Sequence, residues 1–205
     1  MVKRSSIWLF LLLSILAADA PASDRAVAFQ QEKRWFAGFA GATTQARFTV
    51  EGDAGSSVTS LDDALYLRAG RFGRPMRYGV DLMRVRFDEA ETWTVTGFLD
   101  YVISGGDLLS GYMGITAGGS TLRWRDSDPF DGGGRFGARG DRVNSPVAGL
   151  RAGGLIEVTE IVQVEIGYRF LWTNFEDDFD DGTLSGSVEG RNQRAIHAGV
   201  NFRFR

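Results

Sequence analysis

Carboxylates are the most conspicuous reactive groups in this chain of 205 residues. Glu176, Asp177, Asp178, Asp180 and Asp181 place five of them within six residues, and Asp126, Asp128 and Asp131 place three in another polar stretch. Oxygen ligands at that density can hold Ca²⁺ or Mg²⁺. The spacing does not follow the twelve-residue EF-hand loop, so the plain expectation for both stretches is a solvated acidic loop, with divalent-cation binding as the functional reading.

Catalytic patterns are sparse. His197 is the only histidine, has no serine within two or three residues, and there is no cysteine, so a Ser-His-acid hydrolase, a thiol nucleophile and a zinc site all lack their residues. "GGGRFG", Gly132 to Gly137, satisfies G-x-G-x-x-G without the strand-turn-helix unit that gives the motif meaning. "RGD", Arg139 to Asp141, reads first as a charged glycine turn and second as an adhesion tripeptide. The expectation is a non-enzymatic protein with no cofactor, and a net charge of −3 gives no reason to expect nucleic acid.

The elements that carry these groups are strands. The 27 glycines and 12% aromatic content suit closely packed sheets. "VQVEIGYRF" from Val162 alternates without a break, setting Val162, Val164, Ile166, Tyr168 and Phe170 on one face and Gln163, Glu165, Gly167 and Arg169 on the other. Seven further segments follow the same logic, beginning at Arg34, Leu61, Met76, Glu91, Leu108, Pro146 and Ala195, with the first and fifth giving no single phase. In the segment from Met76, Tyr78, Val80 and Leu82 are in phase, whereas Val85 and Phe87 are one residue out, which a β-bulge would explain.

No apolar run past residue 22 is long enough to cross a bilayer as a helix, but a closed barrel crosses on strands of about 9–11 residues with every second residue apolar. Short connections ("GRP" at Gly73, "SGGD" at Ser104, "VTE" at Val158) fall on one end. The connections from Glu51, Asp88, Asp126 and Thr173 fall on the other, all but the brief "DEAE" at Asp88 being long. Trp93 and Phe170 toward one end, and Tyr101, Phe202 and Phe204 toward the other, fit two interfacial girdles. The expected fold is therefore all-β, an eight-stranded antiparallel transmembrane up-and-down β-barrel, apolar outside.

Its interior, only wide enough for side chains, would receive Arg68, Asp81, Asp100, Arg151, Glu157, Glu165, Arg169, His197, Asn201 and Arg203. Opposite charges in so narrow a lumen should pair, and a salt-bridged plug is the expectation. The functional alternative is a small porin or gated ion path, in which His197 would titrate near neutral pH.

Residues 1–22 read as an export signal. Lys3 and Arg4 precede the apolar "IWLFLLLSILAA", and cleavage after Ala22 or after Ala18 leaves 23–205 as the barrel domain. This leader, "YMGITAGGSTL", the hairpin "GLRAGGLIEVTEIVQVEIGYRF" and the final aromatic strand together resemble the small outer-membrane β-barrel proteins of Gram-negative bacteria. These are the opacity-like porin family, related to the OmpA transmembrane domain. The resemblance implies a cell outer-membrane location and insertion by the barrel-assembly machinery, which reads the last strand. Here Phe204 is followed by Arg205, a departure from the usual terminal Phe. It also implies contact with outer-membrane lipid and lipopolysaccharide, whose phosphates the acidic loops could reach through a bridging cation. A role in envelope integrity or surface interaction is expected, with no host partner named by the sequence.

Overall fold

The computed structural model describes residues 35–51, 56–73, 75–87, 90–105, 108–124, 142–180 and 185–205. They form eight strands: β1 (Trp35–Glu51), β2 (Ser56–Gly73), β3 (Met76–Arg86), β4 (Ala90–Ser104), β5 (Leu109–Trp124), β6 (Arg142–Glu157), β7 (Val162–Asp180) and β8 (Ser185–Phe204). Each pairs antiparallel with the next, and β8 closes onto β1 from Trp35↔Phe204 outward, giving an up-and-down barrel with no free edge along its girth. The turns at the end that holds Trp35 and Phe204 are short. Between β6 and β7, Thr159 Oγ1 accepts from the Val162 amide at 3.0 Å while the Val158 amide donates to the Val162 carbonyl at 3.0 Å.

Alternation sorts the side chains as the pattern requires. Leu67, Val80, Val95, Ile115, Leu150, Ile166 and Ile196 all lie on the outer face and are exposed, which in water would be a large apolar surface and in a bilayer is the lipid contact. On β4 this band runs from Tyr101 to Trp93. Eight residues at about 3.4 Å each, tilted about 40°, span roughly 21 Å of bilayer normal, close to the apolar band of a membrane barrel. Trp93 and Trp172 mark one interface, and Trp35, Tyr78, Tyr101, Phe202 and Phe204 the other.

Three sequence expectations are corrected. The slip in β3 is not a bulge: pairing runs unbroken from Gly73↔Met76 to Ala64↔Val85, and from Met76↔Tyr101 to Arg86↔Glu91. Val85 and Phe87, 0% and 1% exposed, stay in phase and face inward. The register shifts lie instead in β8's pairings with β1 and β7, around Asn192, whose φ of 56° is left-handed and suited to asparagine.

The second correction concerns the connection from Thr173. β7 continues to Asp180 and β8 begins at Ser185, so Glu176, Asp177, Asp178 and Asp180 stand on a paired hairpin, Glu176 opposite Glu189 and Asp180 opposite Ser185. Among the described residues, β7 beyond Val147↔Thr173 pairs only with β8, and β2 before Ala64↔Val85 pairs only with β1. The paired walls of β7, β8, β1 and β2 thus continue past the ends of β3 and β4. Asp126, Asp128, Asp131 and Asp181, the glycine motif at Gly132 and the tripeptide at Arg139 lie outside the described residues.

The third correction is to the lumen, which is not polar throughout. Toward the long-connection end it is filled by Tyr66, Met83, Val85, Phe87, Leu122, Leu171 and Phe175, all buried in one apolar cluster.

Candidate functional site

The middle of the barrel holds a layer of charged and polar side chains; β5 adds only the Tyr112 hydroxyl to it and β1 adds none. β1 supplies small inward residues instead: a Cβ on Gly38 would strike Asn201 and the β8 backbone. Inward parity places Arg68 of β2, Arg77 and Asp81 of β3, Asp100 of β4, Arg151 of β6, Glu165 and Arg169 of β7, and His197 and Asn201 of β8 in that layer. All are buried.

Glu165, 0% exposed, is the hub. Its Oε2 accepts from Arg77 Nη1 at 2.7 Å and Asn201 Nδ2 at 3.0 Å. Its Oε1 accepts from the Tyr112 hydroxyl at 2.8 Å and lies 3.2 Å from His197 Nε2, 3.3 Å from Arg151 Nη2 and against Arg68 Nη1. Asp100 Oδ2 takes both Nε and Nη2 of Arg77, at 2.9 and 2.7 Å, while its Oδ1 is 3.2 Å from Arg151 Nε. Asp81 accepts from Arg151 Nη1 at 2.9 Å and from Arg169 Nη2, with Arg68 Nε 3.5 Å away. Four guanidinium groups thus share three carboxylates.

Aromatic faces solvate the surplus positive charge. The Arg77 guanidinium carbon is 4.6 Å from the Tyr112 ring centre and 5.6 Å from that of Phe36. Arg151 is 4.2 Å from Phe98, and Arg169 is 5.0 Å from Tyr66. Glycines make the room: a Cβ on Gly153 would fall 2.8 Å from Tyr112 Cε1, and one on Gly167 would meet the Tyr112 hydroxyl and sit 2.7 Å from His197 Cε1.

Toward the short-turn end the interior opens into a cavity of about 200 Å³. Phe72, Leu155 and Met76 contribute apolar wall, and Glu157, Gln163 and Arg203 contribute polar groups. Gln163 Nε2 donates to Glu157 Oε1 at 2.7 Å, and Arg203 pairs with the same oxygen and lies 4.8 Å from the Phe72 ring centre. Glu157 and Arg203, half-buried, therefore belong to the vestibule rather than to the central layer.

Of the ten lumenal residues that alternation points to, the structure brings eight together in this layer, Arg68, Asp81, Asp100, Arg151, Glu165, Arg169, His197 and Asn201, and sets Glu157 and Arg203 apart in the vestibule. Three others were missed. Arg77 has the same parity as Asp81 and was legible from it; Tyr112 and Tyr66 are aromatic residues that point inward, against the rule that barrel aromatics face lipid. Among the described residues no cluster of three or more His, Cys, Asp or Glu could hold a metal ion.

No protein-family model matches the chain, and no curated protein does. Solved structures do. Neisserial surface protein A is 15% identical, covering 83% of this chain and 97% of its own, with a TM-score of 0.61. AlkL, an outer-membrane protein, is 13% identical over 92% of this chain and 96% of its own, with a TM-score of 0.54. OprH of Pseudomonas aeruginosa is 20% identical over 83% and 99%, with a TM-score of 0.51. At these identities the likeness is one of fold: the chain has the architecture of small transmembrane barrels.

Proposed function

We propose that this protein is a non-conducting barrel of the Gram-negative outer membrane, not an enzyme, that serves envelope integrity and surface interaction. The observation that carries the reading is the double filling of the lumen. Ions moving through would have to displace the Glu165-centred layer and then the apolar cluster around Phe87 and Leu171. Each is costly: unpairing a buried charge costs about 3–5 kcal/mol, and a dry apolar constriction opposes an ion's desolvation. The outer face, the paired aromatic levels and the similarity to solved outer-membrane barrels support the membrane assignment.

On this reading the wall of β7, β8, β1 and β2, with the connections beside it, is the part presented outside. Insertion would use the barrel-assembly machinery through the β8 strand. Export by the leader and cleavage near Ala22 or Ala18 belong to the same proposal.

Planar-bilayer recording of the refolded protein tests it. Silence from protein shown to be folded by its heat-dependent gel mobility is the expected result. Stable unitary currents, altered by Glu165→Gln, would replace this reading with that of a small pore.

A further inference from the structure

The outer rim carries a second set of arginines that the lumen does not use. On the low side of the barrel one row crosses four strands: Arg86↔Glu91 between β3 and β4, Glu91↔Arg123 between β4 and β5, and Arg123↔Arg142 between β5 and β6. Parity turns all four outward, and Arg86, Arg123 and Arg142 are exposed. Arg84 stands one outward position lower, opposite Trp93.

The single carboxylate of the row is already engaged. Glu91 Oε1 accepts from Arg84 Nε at 2.7 Å and from the Trp93 indole at 2.7 Å, while the Arg84 guanidinium lies 5.1 Å from the Trp93 ring centre. Arg123 and Arg142 face each other as direct cross-strand partners; Glu91 is Arg123's partner on the other side but makes its ion pair with Arg84, and no carboxylate among the described residues comes within ion-pair distance of Arg123 or Arg142. Like charges directly opposite one another destabilise a sheet. A site built this way is favourable when an anion lies between the two.

Depth identifies the anion. Glu91 is two residues beyond Trp93, about 5 Å along the bilayer normal at a 40° tilt. Partners across tilted strands step about 3 Å along the normal per strand, so with Trp93 and Trp172 at one level the row climbs from about 2 Å beyond the indoles at Arg86 to about 11 Å at Arg142, crossing the headgroup level. All basic residues other than His197 in the described part of the chain are arginine, whose planar fork binds phosphate oxygens in pairs.

We infer that Arg86, Arg123 and Arg142 form a phosphate-binding site on the outer wall for the phosphorylated glycolipid of the outer leaflet, lipopolysaccharide through its lipid A. This rests on the membrane orientation proposed above. It differs from cation bridging by the acidic segments, because the contact is direct.

The test is calorimetric titration of the refolded protein, in zwitterionic micelles, with bisphosphorylated lipid A, with its dephosphorylated form and with inorganic phosphate. Wild type is expected to bind the bisphosphorylated form at least tenfold more tightly than the dephosphorylated one, with no change on adding a divalent chelator. Inorganic phosphate is expected not to compete at equal concentration. Arg123→Gln with Arg142→Gln is expected to weaken binding at least tenfold, whereas Arg71→Gln at the opposite interface leaves it unchanged.

Equal affinity for the two lipids, loss of binding with chelator, an unaffected double variant, or equal competition by inorganic phosphate would each overturn the inference. The wild-type comparison stands even if the double variant fails to fold. A conducting barrel that still binds lipid A in this way would refute the sealed-lumen reading alone.

Discussion

Replacing Glu165 by glutamine changes one atom type at the centre of the lumen and should be among the most destabilising isosteric substitutions the barrel can carry. The amide has one acceptor oxygen where the carboxylate has two. Turned one way, its NH₂ confronts Arg77 Nη1 and Asn201 Nδ2; turned the other, it confronts Arg68 Nη1, Arg151 Nη2 and the Tyr112 hydroxyl. Donor meets donor in either case, and four guanidinium groups are left with the charges of Asp81 and Asp100. Removing one partner of a buried ion pair costs about 3–5 kcal/mol. The same loss, about 3–5 kcal/mol, is expected here, because water cannot readily enter to replace the missing charge. Urea unfolding of the protein in lipid vesicles, followed by tryptophan fluorescence, measures it. Adding Arg77→Met to Glu165→Gln removes one stranded charge, so the double variant should lose less than the sum of the singles, by about 0.5–3 kcal/mol of coupling. A Glu165→Gln loss below about 1 kcal/mol, or strict additivity, would refute the idea that this layer is a tightly coupled ionic plug.

The arginines of the layer should rank by the donors they place. Arg77 commits Nε and both Nη atoms to Asp100 and Glu165, whereas Arg169 gives Asp81 only Nη2. Arg77→Met should therefore cost at least about 2 kcal/mol more than Arg169→Met in the same unfolding assay. Gly167→Ala should destabilise by about 1–3 kcal/mol, because its Cβ strikes Tyr112 and His197, both bonded to Glu165. Gly41→Ala, whose Cβ meets nothing within 4 Å on the outer face, should be neutral or stabilising by up to about 1 kcal/mol; equal effects at the two sites would contradict the packing described.

Period-two alternation carried most of the architecture, because a lipid-facing side chain and a lumenal one differ in chemistry along most of each strand. Arg68, Asp81, Glu165 and Arg169 announce their face by charge alone. At some positions that contrast vanishes. Val85 and Phe87 are apolar and inward, so they looked like a displaced outer face and suggested a bulge; only the unbroken pairing of β3 with both neighbours resolves it. Tyr66 and Tyr112 were missed for the same reason, since a tyrosine fits an interfacial girdle and an ionic lumen equally well by type. "EDDFDDGTLSGSVEG" has turn composition, which predicts shorter strands, yet β7 and β8 continue through much of it by backbone pairing that composition does not encode.

The two arginine populations obey one rule with different outcomes. Inside, a buried guanidinium is shut off from bulk solvent, so the chain itself must supply partners; Asp81, Asp100 and Glu165 do so from three separate strands, with Tyr112, Phe98 and Phe36 against the guanidinium faces. Outside, beyond Trp93, the chain places Arg123 directly against Arg142, and the one carboxylate of the described row, Glu91, is hydrogen-bonded to Arg84. If both sets served only to stabilise the fold, the outer pair would be a cost without compensation, and Arg142→Gln would raise the unfolding midpoint in micelles of neutral detergent and in vesicles containing lipid A alike. If the outer set is completed by phosphate, the substitution raises it in neutral detergent, where the like-charge pair is simply relieved, and lowers it in vesicles containing lipid A. The opposite signs in the two media separate a counterion held by the membrane from one held by the protein.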